Sequence, residues 1–313
     1  LAVATDAANR EPQNPVAMQA WVEMAHAAGR WETTIKAGEA ALTLAAEPAR
    51  IHIWMGQAHD ALGQEEESLY HLHRAVKLAS EQVEGEAWLA LADFYERRQQ
   101  WGQLEQCLQD GVRSVGEPRS AEMVFRQAVL FEQTGRPTEA QAAYWRSHQL
   151  GNRSSRLLTR LGQVLSRLGH HEQAIAKLEE GVARPDSDGA TYHALALALD
   201  SAGRPAEAAA AARQAVELAP GDARILLDAG RLGLAEKAVE DATRMLERAV
   251  ELAPDRVEGW SWLGRAHEAA GNWSKALDSF TAAARLDPAD PHLQHQIGVV
   301  CSRLGRHDTA ITS

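Results

Sequence analysis

The side chains of this 313-residue chain with the most chemistry to offer are thirteen histidines, nine tryptophans and two cysteines. A zinc site needs three or four ligands converging on one point. His52 and His59 share one helical face, His71 and His73 diverge from theirs, and His170 and His171 fall in a turn. His292 and His295 could supply two ligands near the end of the chain, with no third beside them. Packed or surface roles therefore explain these histidines better than a metal does. Cys107 and Cys301 are too few for a disulfide framework or a thiolate metal site. Glycine-rich phosphate loops, dinucleotide fingerprints, nucleophile elbows and helical metalloprotease motifs do not occur. The expectation is a chain that is not an enzyme, with no catalytic residue, no cofactor and no metal.

Charge narrows the partners further. Forty-three acidic against 32 basic residues leave a formal charge of -11, which argues against a nucleic-acid binder relying on a general phosphate-attracting field. No run approaches the roughly 20 apolar residues that a membrane-spanning helix needs, so no membrane insertion is expected within this sequence. Richness in Ala and Arg suggests a bacterial source. The compartment stays open, the cytoplasm being favoured.

The elements that must position these side chains follow a period. From Val257 to Asp290, Trp260, Leu263, Gly264, His267, Ala276, Phe280, Ala283 and Pro288 stand at places 4, 7, 8, 11, 20, 24, 27 and 32 of a 34-residue frame. One period earlier stand Leu226, Ala229, Gly230, Gly233, Ala242, Leu246, Ala249 and Pro254. Apolar residues at 4, 7, 11, 20 and 24 make the facing stripes of two helices, and small residues at 8, 20 and 27 let the backbones approach. Glycine at 15 (Gly29, Gly63, Gly135, Gly169, Gly203, Gly271, Gly305) supplies the positive φ that ends the first helix, and Pro at 32 stops the second. Lys237 departs from glycine at 15, Gln127 from an apolar residue at 7, and Thr34 and Gly38 from the pattern at 20 and 24.

Complete units run 15–48, 49–84, 85–120, 121–154, 155–188, 189–222, 223–256 and 257–290, two of them stretched by longer connections around Ala79 to Glu84 and Val115 to Ser120. Residues 1–14 read as the second helix of a truncated unit, and 291–313 as the first helix and part of the second of another. The chain is thus expected to form one array, cut at both ends, whose uncapped end helices would allow self-association as an artefact of the cut. This pattern resembles the tetratricopeptide repeat family over essentially the whole chain. The resemblance implies an all-α, right-handed superhelix of antiparallel helix pairs whose first helices line a concave, protein- or peptide-binding groove.

In that family, places 2, 5, 6, 9 and 12 face the groove. The earlier units contribute Glu23, Asp60, Glu86, Asp93, Glu96, Glu122 and Glu132 against Arg50 and Arg126. Later units contribute Arg156, Arg160, Arg224, Arg231 and Arg265 against Asp200, Asp228, Glu258 and Glu268. A ligand touching both walls would be basic towards the N-terminal units and acidic towards the C-terminal ones. For Arg231 and Arg265, salt bridges to Asp228, Glu258 and Glu268 compete with a partner's carboxylate. Most tryptophans take packing places, Trp88 and Trp260 at 4 and Trp31, Trp101 and Trp273 at 17, whereas Trp54 and Trp262 at place 6 are candidate anchors for a partner's apolar side chain. The Lys and the paired Asn residues that let some members clamp a chaperone's acidic tail are missing, Leu89 standing in the place of the Lys and Asp93 and Arg126 in those of the Asn pair. The reading is a noncatalytic scaffold, the alternative being the recognition or regulatory arm of a larger enzyme with its catalytic domain elsewhere.

Overall fold

The computed structural model describes residues 1–45 and 47–305, and the expected second helix of the last truncated unit lies outside the described residues beyond Gly305. Among the described residues there are eighteen α-helices and no strand. The helices divide between two compact units, one ending at Asn152 and one beginning at Arg153.

In the N-terminal unit, α1 (Ala2–Arg10) precedes four helix pairs: α2 (Pro15–Ala27) with α3 (Trp31–Leu42), α4 (Pro48–Ala61) with α5 (Glu65–Leu78), α6 (Glu84–Arg97) with α7 (Trp101–Val115), and α8 (Ala121–Gln133) with α9 (Pro137–Gln149). The C-terminal unit pairs α10 (Ser155–Arg167) with α11 (His171–Val182), α12 (Gly189–Ser201) with α13 (Pro205–Leu218), α14 (Ala223–Ala235) with α15 (Val239–Leu252), and α16 (Val257–Ala269) with α17 (Trp273–Leu286), and then adds α18 (Pro291–Arg303). The expected longer connections are not found: residues 79–83 and 116–120 match the lengths of 43–47 and 150–154, and the two stretched units gain their extra residues in the helices instead, α4 to α7 running 14, 14, 14 and 15 residues.

Each first helix packs on its own second helix, and within each unit each second helix packs on the next first one. In the N-terminal unit α2 also touches α4 and α4 touches α6, and in the C-terminal unit α10, α12, α14 and α16 touch in succession. Neighbouring second helices make few such contacts. A layer whose helices stand closer together is the inner layer of a curved stack, so within each unit the first helices form the recessed face.

Close approach inside a pair is set by size. A Cβ added at Gly264 would lie 2.6 Å from the Phe280 ring, and one added at Gly162 would lie 2.4 Å from Leu178 Cγ. The departure at Gly38 has a local reason, since Met55 of α4 fills the space a side chain there would need. Thr34 is fully buried and its hydroxyl donates back to the Arg30 carbonyl at 3.0 Å, which removes the cost of hiding it.

The turn at place 15 overrides residue identity. Lys237 adopts φ 61° and Gln99, at the same place of its repeat, adopts φ 54°. Both take the left-handed conformation that the seven glycines take, because the chain must reverse there before the second helix begins.

Candidate functional site

The recessed face of the N-terminal unit is built from charged side chains that bridge consecutive first helices. Arg50 of α4 approaches Glu86 of α6, Nε to Oε2 3.5 Å. Asp60 of α4 receives Arg97 and Arg98 from the end of α6. Arg126 of α8 contacts Asp93 and lies 3.7 Å from both Glu96 and Glu122. These surrounding carboxylates raise the Arg126 pKa against the opposing effect of burial. Four of the expected site residues, Asp93, Glu96, Glu122 and Arg126, thus form one cluster, and the wall that reads as acidic is partly neutralised from within.

Trp54 is half-buried against the apolar core that holds Met18, Trp21, Ile51 and Met55, its ring 6.2 Å from that of His26. Beside it the histidines regroup in a way that spacing on one helix does not reveal. His71 of α5 inserts between His52 and His59 of α4, with its Nδ1 2.8 Å from that of His52 and its ring stacked on His59 at 5.2 Å. Burial, followed by the neighbouring His52 and His59, pushes the His71 pKa down to about 4. The Nδ1 of His59 lies 2.6 Å from Gln64 Oε1 instead. Among the described residues no group of three or more His, Cys, Asp or Glu side chains is placed to hold a metal ion.

The C-terminal unit uses polar bridges as well. Thr191 of α12 meets Ser155 and Thr159 of α10, each at 2.9 Å between hydroxyl oxygens. His193, buried on α12, lies 2.8 Å from Asp228 of α14. Arg231 donates to Asp200 at 3.0 Å and approaches Asp228 at 3.7 Å, so it is engaged by the chain's own carboxylates. Arg265 behaves differently. It is exposed, makes no ion pair among the described residues and sits 4.6 Å above the Trp262 ring, a cation–π contact joining two expected site residues. Arg224 is exposed at the start of α14 without an ion pair among the described residues. Arg156 and Arg160 are exposed one turn apart on α10.

Arg97 and Arg98 escape a reading confined to five groove places, because they stand at places 13 and 14. The signal that could have found them is the recurrence of Arg about one period after an acidic residue at place 12. Asp60 with Arg97 shows it. Among the described residues no helix is long and apolar enough to cross a membrane.

This geometry has counterparts. A tetratricopeptide repeat model matches residues 223–291, and a second, for the tetratrico peptide repeat, matches residues 121–224. Tetratricopeptide repeat protein 33 of Xenopus laevis is 32% identical over 94 residues, which are 30% of this chain and 36% of that protein. The chain spans 36% or less of the length of the first curated relatives it matches. Among solved structures, the APC/C hetero-tetramer Cut9–Hcn1 is similar at a TM-score of 0.57 and 18% identity, covering 85% of this chain and 51% of that one. A tetratricopeptide repeat protein from Parabacteroides merdae is similar at a TM-score of 0.55 and 11% identity, covering 80% of this chain and 98% of that one. At such identities the likeness is one of fold.

Proposed function

Because the chain belongs to the tetratricopeptide repeat family, whose members generally mediate protein–protein interactions, we propose that it is a noncatalytic scaffold taking a segment of another protein against its first-helix face. The observation that carries this reading is the Trp262–Arg265 pair. An exposed guanidinium held over a half-buried indole offers a carboxylate its donors and an apolar side chain a flat surface, without first breaking an internal salt bridge. Arg224 adds a second exposed cation on the same layer of helices. Arg231 contributes differently: shared between Asp200 and Asp228, it lessens the negative charge that an acidic partner would meet there.

Affinity purification with the full-length protein, followed by cross-link mapping, tests the reading. Cross-links should fall on α10, α12, α14 and α16 and should be lost when Trp262 and Arg265 are changed together. Cross-links confined to the second helices, or turnover of a substrate abolished by changing one first-helix residue, would overturn it.

A further inference from the structure

The N-terminal unit carries an open cleft of about 660 Å³ where the C-terminal ends of α2, α4 and α6 meet the start of α3, lined by His26, Trp31, Gln57, Asp60, Arg97 and Arg98. Asp60 is the acidic residue of this lining, and both its oxygens are already engaged. Arg97 takes Oδ2, Arg98 Nη1 lies 2.6 Å from Oδ1, and the side chain is 9% exposed. A cationic ligand therefore finds no available carboxylate on the wall. Arg98 is committed too: its guanidinium lies 3.9 Å above the Phe94 ring, and its Nε is 3.3 Å from Glu65.

Arg97 is the exception. It is 53% exposed and meets Asp60 through Nη2, and its remaining N–H groups have no protein acceptor among the described residues. A guanidinium has five donors in one plane, a geometry that matches a carboxylate. Asp60 next to it penalises a dianion more than a monoanion, which favours carboxylate over phosphate. The rest of the lining is largely aromatic: the rings of His26 and Trp31 meet edge to face at 5.7 Å, and Trp54 stands just behind His26. Burial lowers the His26 pKa, opposed by its hydrogen bond to Gln57, so the ring is neutral at neutral pH and adds no second cation.

We propose that this cleft anchors a partner segment in which an acidic side chain stands next to an aromatic one, the carboxylate on Arg97 and the ring against Trp31 and His26. The proposal rests on the scaffold reading and names the chemistry recognised in the N-terminal unit. It also reverses the expected polarity at this cleft, because Asp60, the carboxylate that made its lining read as acidic, is occupied by Arg97 and Arg98.

The test is selection of a display library of random linear peptides on the full chain, followed by titration of synthetic versions of the enriched peptides. Enriched peptides should pair Asp or Glu with Phe, Tyr or Trp. Arg97→Gln should weaken them roughly ten-fold, as loss of a hydrogen bond to a charged group does, and more at low salt than at high salt. Replacing the peptide's acid by its amide should weaken binding to the parent equally and cost nothing further in the Arg97→Gln variant. Arg113→Gln, which removes a similarly exposed arginine from α7, should change nothing. Because Arg98 still holds Asp60, the Arg97→Gln variant should keep the parent's helical signal and unfolding midpoint. Enriched peptides that bind Arg97→Gln as well as the parent overturn this assignment and leave the scaffold reading standing. A selection that enriches no peptide overturns both.

Discussion

Gly162 and Leu178 provide a measurement in which one substitution should change sign with its neighbour. A Cβ at Gly162 would lie 2.4, 2.8 and 2.9 Å from Leu178 Cγ, Cδ2 and Cδ1, so the whole isopropyl group stands in its way. Leu178 is 1% exposed and cannot swing into solvent. Carbon atoms in good contact stand about 3.5–4.0 Å apart, and overpacking of this kind costs about 1–3 kcal/mol. Alanine in place of glycine inside a helix returns about 1 kcal/mol, so Gly162→Ala should destabilise by about 1 kcal/mol net. Leu178→Ala alone should cost about 2–5 kcal/mol through the cavity it leaves. In that background the clash is gone and only the helix preference remains, so Gly162→Ala should stabilise by about 1 kcal/mol. The coupling between the two changes is then about 2 kcal/mol. The chain already holds the equivalent of the double variant, with Ala196 and Ala212 at the same two places of the next repeat. Urea denaturation followed by far-ultraviolet circular dichroism reads all four proteins, provided the slopes agree, since repeat arrays can unfold unit by unit. Equal effects of Gly162→Ala in both backgrounds would refute the claim that close helix approach is what demands a small residue there.

Lys237→Gly and Gln99→Gly should each stabilise by about 0.5–1 kcal/mol in the same assay, because relief of the left-handed conformation outweighs the added freedom of the unfolded chain; Gly203→Ala, at φ 73°, should do the reverse. The His71 pKa falls from 6.5 unfolded to about 4 folded, so between those values the unfolded chain binds a proton that the folded one refuses, and stability is lost as pH falls from 6.5 towards 4. The full shift is worth about 3 kcal/mol, which solvent screening of a half-buried ring reduces to about 1–2 kcal/mol, and His71→Gln should flatten the dependence of the unfolding midpoint on pH over that window. Arg265→Glu should weaken partner binding by about ten-fold with an unchanged melting curve, whereas Arg231→Glu should also lower the melting temperature, because it sets a third carboxylate beside Asp200 and Asp228.

The period of the sequence by itself determined the helices, their pairing and the turns between them, since each rests on contacts within about one repeat. Apolar stripes, small residues at close approaches and proline after the second helix are local requirements that must be written into the chain. Even the departures are legible once the structural demand is known: Lys237 bends as glycine does, and Gly38 leaves room for Met55. What the tertiary structure decided is which charges remain available. Arg231 and Arg265 occupy the same place of successive repeats and look alike in sequence, yet one is held by two carboxylates and the other lies over an indole. On the N-terminal wall Asp60 is likewise partnered by Arg97 and Arg98, and Asp93 by Arg126, all from the next repeat, and His71 reaches the His52 and His59 pair from another helix. Such pairings depend on side-chain reach and on the stagger between neighbouring helices. The period fixes which residues share a face, but a difference of one or two ångströms between helices settles whether an arginine meets its neighbour's carboxylate or is left for a partner's.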